Sequence, residues 1–342
     1  MVQTTALLVD DQDPQIQYLC DSLNEQFARS YYNRTWTTLK GDDCSNGWFN
    51  YTFYGTGIHV AASVASSGAS YSVKIDDGEF VPQSGKGEYT SPPLSDGKHT
   101  ITYAIESPQN ANFLPAFDYL AITPGSSTPL EGRTLAVDDG DDSVTYSSGW
   151  TGRPAALPSF ASSPSLYENT THWSSTIGDS LQFKFEGSSV SVLGIVTNIS
   201  LGNITATYTL DGVSNVQGLP QGTLDSLPMV NLFHADVQPG VHTLVLNITE
   251  IQAHQALGVD FIAYNATSNS ISSLSGGIQQ SADTLSTGSK AGIAIGVLAF
   301  VALLASLFGV LHKRYTRNRN PKFRLSDGVE SGFKKPFPPT TW

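Results

Sequence analysis

The sequence predicts an all-β ectodomain, built as two tandem antiparallel β-sandwiches and followed by a disordered stalk, one transmembrane helix and a short disordered tail. Three observations predict it. The ectodomain repeats internally, its apolar residues alternate with a period of two, and an uncharged run of 21 residues extends from Ala291 to Leu311.

Laid against itself at a shift of 128 to 143 residues, the chain aligns a series of short segments in the same order. Val9-Asp-Asp11 meets Val137-Asp-Asp139, and Phe53-Tyr-Gly55 meets Phe185-Glu-Gly187. Gly97-Lys-His-Thr100 meets Gly240-Val-His-Thr243, and Phe117-Asp-Tyr-Leu-Ala121 meets Val259-Asp-Phe-Ile-Ala263. Such self-similarity marks a duplicated structural unit of ordinary domain size. The predicted organisation is a first sandwich over 1–124, a Pro/Gly/Ser-rich linker over 125–133 and a second sandwich over 134–266. A Ser/Thr-rich stalk over 267–290, an anchor over 291–311 and a basic, Pro-containing tail over 312–342 complete it.

Tyr71–Ile75, Leu181–Phe185 and Ser189–Leu193 alternate apolar and polar residues, as half-buried strands require. Asp77-Gly78 and Asp211-Gly212 supply tight turns, and Asp96-Gly97 and Pro239-Gly240 open a penultimate strand. No segment before the anchor carries a sustained 3.6-residue apolar period.

At about 1.5 Å per residue, a helix over 291–311 spans a hydrocarbon core of roughly 30 Å. Six Lys or Arg lie between His312 and Arg324, whereas only Lys290 lies close on the other side, so the positive-inside rule places the C-terminus in the cytoplasm. A single-pass type I protein of the plasma membrane or secretory pathway follows. Seven N-glycosylation sequons, at Asn33, Asn50, Asn169, Asn198, Asn203, Asn247 and Asn265, all precede the anchor. Met1–Val9 lacks the basic start and long apolar stretch of a signal peptide, so export is expected from a start upstream of Met1 or from the anchor itself. Gly292 and Gly296 fit the small-residue face of a helix dimer, against which stands the frequency of Gly in any such helix.

The net charge of −12 divides into +6 for residues 312–342, with eight Lys/Arg and two Asp/Glu, and −18 for everything before. An acidic ectodomain excludes nucleic acid as a partner. Lys334–Pro339 is either a polyproline II ligand or plain disordered tail. Cys20 and Cys44, outside the cytoplasm, are expected to form a disulfide worth on the order of 3 kcal/mol, with two buried thiols as the other reading.

No catalytic residue is expected. The chain has no Gly-x-Ser-x-Gly, no His-Glu-x-x-His and no phosphate-binding glycine loop, and His99 and His242 lie beside turns without an identifiable nucleophile. Sugar recognition needs an exposed aromatic face flanked by hydrogen-bonding groups. Trp36, Trp150 and Trp173 fall in the irregular first half of each repeat and are the candidate platforms, each also readable as core; Trp48, amid Phe49, Tyr51 and Phe53, reads as core.

The closing strand pair of each repeat, Gly-x-His-Thr followed by an Asp between apolar or aromatic residues, resembles the C-terminal strands of galactose-binding-like jelly rolls, the fold of many carbohydrate-binding modules. The layout of two such domains, a stalk, one anchor and a basic tail resembles fungal single-pass surface proteins. The resemblance implies a structural Ca²⁺ held by Asp10 or Asp11 with Asp118, and by Asp138 or Asp139 with Asp260. Read from the residues alone, these carboxylates are either Ca²⁺ ligands or solvated strand ends. The leading functional expectation is a non-enzymatic surface protein that binds wall or surface glycan. A protein-binding adhesion or sensor receptor is the alternative, and a glycoside hydrolase a third reading.

Overall fold

The structure, a computed structural model, describes residues 5–27, 29–40, 44–64, 70–106, 115–154 and 166–268. All of them belong to one compact unit, Met1–Gly277. The stalk from 269 onward, the apolar run 291–311 with Gly292 and Gly296, and the tail lie outside the described residues.

Strands dominate, as the alternation predicts. The first repeat holds β1 (Thr5–Asp10), β2 (Gln17–Tyr18), β3 (Ser22–Gln26), β4 (Thr35–Leu39), β5 (Cys44–Gly55) and β6 (Gly57–Ser63). It continues with β7 (Ser70–Ile75), β8 (Val81–Gln83), β9 (Tyr89–Thr90), β10 (Gly97–Glu106) and β11 (Ala116–Thr123). The second holds β12 (Thr134–Asp138), β13 (Val144–Tyr146), β14 (Thr151–Pro154), β15 (Thr170–Ser174) and β16 (Ser180–Thr197). Then follow β17 (Thr205–Leu210), β18 (Val213–Gly218), β19 (Val230–Glu250) and β20 (Ala256–Ala266). Short 3-10 turns at Tyr32–Arg34, Tyr167–Asn169 and Ile199–Leu201 are the only helical pieces among the described residues.

In the first repeat, a sheet ordered β2-β5-β10-β7-β8 faces a sheet that contains β1, β11, β4 and β6. Trp48, Phe49, Tyr103 and Phe117 fill the space between, with Phe49 stacked on Phe117 at 4.2 Å. Trp48 is core, as its neighbours predict. In the second repeat one long strand, β16, serves both layers: its first half pairs β13 and β19, its second half β19 and β20. The corner falls at Gly187, where a Cβ would stand 2.6 Å from the carbonyl oxygen of Asn265. Gly55, the matching corner between β5 and β6, would meet Thr123 O at the same 2.6 Å. Both positions need glycine because the last strand of the repeat passes too close for a side chain.

The two sandwiches are not separate beads. β1 pairs with β12 in antiparallel register, Thr5 opposite Val137, Ala6 opposite Ala136 and Leu7 opposite Leu135, so one large sheet runs β18-β17-β19-β16-β20-β12-β1-β11-β4-β3. Leu7 and Leu135 are equivalent positions of the duplication (135 − 7 = 128, the shift that aligns Val9 with Val137), and they face each other. A pseudo-twofold axis therefore passes between them. Alternation along β1 sends Leu7 and Val9 into the sandwich core and Ala6 and Leu8 to the other side. There a second core gathers equivalent residues of both repeats: Leu8 with Ala136, Tyr32 with Tyr167, Ala61 with Leu193, Tyr119 with Phe261 and Ala121 with Ala263. Residues 125–133, predicted as a linker, are packed rather than loose. Leu130 is fully buried, Thr128 Oγ1 donates to Tyr54 O at 2.9 Å and Gly132 N to Ala266 O at 2.8 Å. Cys20 and Cys44 form the expected disulfide, which ties the chain before β3 to the start of β5.

Candidate functional site

The recurring Gly-x-His-Thr motif has a structural explanation. Asp76 and Asp211 open equivalent turns with φ of 53° and 50°, left-handed values that Asp tolerates. Asp76 Oδ1 accepts Thr100 N at 2.7 Å and Oδ2 takes His99 Nδ1 at 2.8 Å, while His99 Nε2 lies 2.7 Å from Ser95 O. Asp211, Thr243, His242 and Gln238 repeat the arrangement, with Thr243 N donating at 2.9 Å and His242 Nδ1 at 2.6 Å. Each histidine latches a hairpin to the penultimate strand. The Asp76 hydrogen bond and the Ser95 carbonyl raise the His99 pKa, because both favour the ring that carries two protons.

The paired aspartates at the end of β1 and β12 are buried with the aspartate of the last strand. Asp11 accepts Thr35 and Thr37 hydroxyls at 2.6 Å each and the Gln12 amide, and its own N–H donates to Asp118 O at 2.9 Å. Asp139 accepts the Thr170 hydroxyl at 2.7 Å and His172 Nδ1 at 2.5 Å, and its N–H donates to Asp260 O at 3.1 Å. His172 stands where the first repeat has Thr37. Asp118 and Asp260 each accept one backbone N–H, of Tyr32 at 2.9 Å and Tyr167 at 3.0 Å, and each leaves Oδ2 buried without a partner. Burial, and then the charge of Asp11 or Asp139, raises both carboxyls well above the usual range. Burial and the adjacent carboxylate push Asp10 and Asp138 up to about 7. The oxygens of Asp11 and Asp139 are spent on hydroxyl, amide and imidazole donors, whereas Asp118 and Asp260 each keep one buried oxygen without a partner. Among the described residues no three carboxylate, His or Cys groups are placed to hold a metal. Asp11, Asp118, Asp139 and Asp260 are not solvated strand ends, since all are buried.

Of the three tryptophan candidates, Trp150 is buried at 7% exposure beside Tyr146, so it presents no face to a ligand. Trp36 is half-buried and stacks on Tyr31 at 5.5 Å. Trp173, half-buried on β15, packs over Gly258. Trp150 immediately precedes Thr151, which pairs with Trp173 across β14 and β15, whereas Trp36 belongs to the first repeat. Five sequon asparagines, Asn33, Asn169, Asn198, Asn203 and Asn247, are exposed, and Asn50 and Asn265 are half-buried.

What the sequence did not reveal is a pair of clefts where the 3-10 turn of each repeat leans over the sheet of the other. The turns carry similar segments, Tyr32-Asn-Arg-Thr35 and Tyr167-Glu-Asn-Thr170, and both hold two residues at positive φ: Asn33 and Arg34, Glu168 and Asn169. That likeness was the available signal. The first cleft, about 290 Å³, has Ala6, Ala61, Tyr119, Ala121 and Tyr167 as its floor and His59, Glu88, Thr90, Ser91, Thr123, Glu168 and Asn169 around it. His59 Nδ1 pairs with Thr90 Oγ1 at 2.9 Å, and Ser91 Oγ accepts Ile58 N at 3.0 Å. Burial lowers the His59 pKa, against the opposing pull of Glu88 and Glu168. The second cleft, about 400 Å³, is lined by Tyr31, Tyr32, Asn33, Arg34, Ser191, Leu193, Met229, Asn231, His234 and Asn265, among others. Ser191 Oγ lies 2.8 Å from His234 Nδ1, but Asp236 is 3.6 Å from the other ring nitrogen and almost fully exposed, so no buried acid fixes this histidine as a base. The two clefts are pseudo-symmetric in place and opposite in charge: Glu168 of the first corresponds to Asn33, and Asn169 to Arg34 of the second.

No protein-family model matches the sequence, and no curated protein is significantly similar to it. Solved structures with partial likeness include a family two carbohydrate esterase from Cellvibrio japonicus, 16% identical over 39% of this chain and 34% of that one, with a TM-score of 0.28. A two-domain esterase active on acetylated mannans, co-crystallised with mannopentaose, is 16% identical over 43% and 40% of the two chains, with a TM-score of 0.30. A Paenibacillus xanthan lyase is 12% identical over 75% and 26%, with a TM-score of 0.28. The chain thus spans well under half the length of each. Likenesses this distant carry no argument about function.

Proposed function

We propose that the chain is a single-pass, type I cell-surface glycoprotein whose tandem sandwiches, jelly rolls of the galactose-binding-like kind, bind glycan without turning it over. The first interface cleft carries this reading. A sugar offers a ring with an apolar patch and a belt of hydroxyls, each of which donates and accepts. The cleft matches that with an alanine and tyrosine floor and a rim of imidazole, two carboxylates and hydroxyls, all within about 290 Å³. The anchor and its orientation rest on the uncharged run 291–311, the basic residues after it and the seven sequons before it.

Binding is tested by a glycan array on the purified protein, with and without Ca²⁺, followed by calorimetry on any hit. Glu168→Gln and Thr90→Val should weaken that hit at least tenfold while leaving the melting temperature within a few degrees. An array blank under both conditions overturns the reading. For topology, peptide glycosidase should increase gel mobility, and protease outside intact cells should remove the ectodomain; no change in either refutes the orientation.

A further inference from the structure

The second cleft continues into a larger groove of about 560 Å³, with which it shares Arg34, Met229, Asn231 and His234. Leu224, Leu227, Met229 and Leu232 give it an aliphatic lining. Arg29 and Arg34, both from the first repeat, flank it. Arg29 Nη1 donates to Gly222 O at 2.7 Å, and the Arg34 guanidinium sits 5.9 Å from the ring of the exposed Phe27. Neither arginine enters an ion pair among the described residues, and no Asp or Glu lines the groove or the cleft beside it. Asp225, in the loop between the lining residues Leu224 and Leu227, accepts Ile199 N instead, and Asp236 lies against His234.

Two unpaired guanidiniums here are unexpected from composition. Residues 1–268 hold nine Lys/Arg against 27 Asp/Glu, and residues 134–268 contribute only Arg153 and Lys184. The second repeat thus has few cations of its own, and at this groove the first repeat supplies them with Arg29 and Arg34. The pseudo-equivalent first cleft has the opposite sign.

We propose that this groove binds an acidic peptide segment of a partner protein, one that alternates carboxylate and aliphatic side chains. Charge complementarity selects the carboxylates: a planar guanidinium fork matches a carboxylate bidentately. The aliphatic lining selects apolar side chains over sugar, because the aromatic rings that line the groove and its cleft include the buried Tyr31 and Phe233, while the exposed Phe27 lines neither and has the Arg34 guanidinium over its ring. Gln217 and Gly218, at the end of β18, border the groove, and β18 is the outermost strand of the large sheet. Its backbone edge, unpaired among the described residues, and the exposed Val213 and Val216 suit an extended peptide laid alongside. The proposal concerns a different cleft from the glycan reading and stands without it.

The test uses the full chain in detergent micelles and a dye-labelled peptide of about eight alternating Glu and Leu residues, read by fluorescence anisotropy. Saturable binding is expected, weakened at least tenfold by the double substitution Arg29→Glu and Arg34→Glu and by added salt, and unchanged by Glu168→Gln in the other cleft. Arg34→Gln alone should weaken it severalfold; it leaves the Arg29 contact to Gly222 in place, so its loss is not one of folding. Equal affinity for a Lys/Leu peptide, no saturable binding, indifference to both arginine variants, or displacement by a short uronic-acid oligomer but not by unlabelled peptide would each overturn the proposal.

Discussion

Replacing Asp118 by Asn separates two accounts of the buried carboxyls. In the fold, Asp118 is 1% exposed, accepts only the Tyr32 N–H and faces the charge of Asp11, so its pKa is held well above the usual carboxylate range. In the unfolded chain it ionises around 3.8. A group raised in this way contributes stability that is fully present below its unfolded pKa and lost as pH rises through the folded pKa. Folding at a pH between the two values therefore draws a proton onto Asp118. Each unit by which the fold raises the pKa of Asp118 works against folding by about 1.36 kcal/mol at a pH above both values. Asn has the same shape, keeps an oxygen for Tyr32 N–H and never ionises. Relative to wild type, Asp118→Asn should become steadily more stable on going from about pH 4 to pH 7, with little difference between the proteins at the acid end. Urea denaturation at both pH values measures it. A variant less stable by the same amount at both would refute the argument. So would a wild-type protein that millimolar Ca²⁺ stabilises while the variant does not respond, since Asp118 would then be a metal ligand, as expected from sequence, rather than a buried acid.

Three further perturbations follow from the same structure. His99→Gln removes a latch whose histidine pKa is raised by Asp76, so the loss, about 1 kcal/mol for a pair whose Asp is half-exposed, should be present below pH 6.5 and vanish as pH rises through the folded value; equal losses at about pH 5 and pH 9 count against it. Gly187→Ala drives a methyl to 2.6 Å from Asn265 O and should destabilise by about 1 to 3 kcal/mol in urea, as should Gly55→Ala at the matching corner; a neutral result at both would mean that the strands can move apart. Cys44→Ser should lower stability by about 2 to 4 kcal/mol, and because β1 and β12 share a sheet over a common second core, calorimetry should show both repeats melting together at the lower temperature. Two resolved transitions, only one of them shifted, would show the repeats to be independent.

The strands were legible because alternation is local. Period-two patterns in Tyr71–Ile75 and Leu181–Phe185 report burial directly, and the Asp-Gly turns report positive φ. The duplication was legible for the same reason, since repeated side chains are visible without any contact between them. What escaped is everything that depends on pairing across the repeat. Nothing in Thr5–Leu7 or Leu135–Val137 says that these segments meet each other, because a strand buried on both faces reads the same whether its neighbour is its own last strand or the first strand of a duplicate. The clefts inherit that blindness. The surroundings of the buried aspartates were hidden for a related reason, since nothing in the sequence says that Thr35, Thr37, Gln12 and His172 donate to them.

A duplication that pairs its first strands about a pseudo-twofold axis makes two clefts from one plan, each using a turn of one repeat and a sheet of the other. Substitutions in one turn then alter the opposite repeat's cleft while leaving that repeat's own core untouched. Asn33-Arg34 and Glu168-Asn169 lie in matching left-handed turns, exposed and away from the sandwich cores, so their side chains can change without loss of packing. Tyr32 and Tyr167, one residue earlier, cannot, since both are buried at the axis. The fold thus holds the geometry of the two clefts alike through residues it cannot vary and allows their charge to differ through residues it can. An ancestral pair of equal sites could diverge into one acidic and one basic cleft within a single rigid unit.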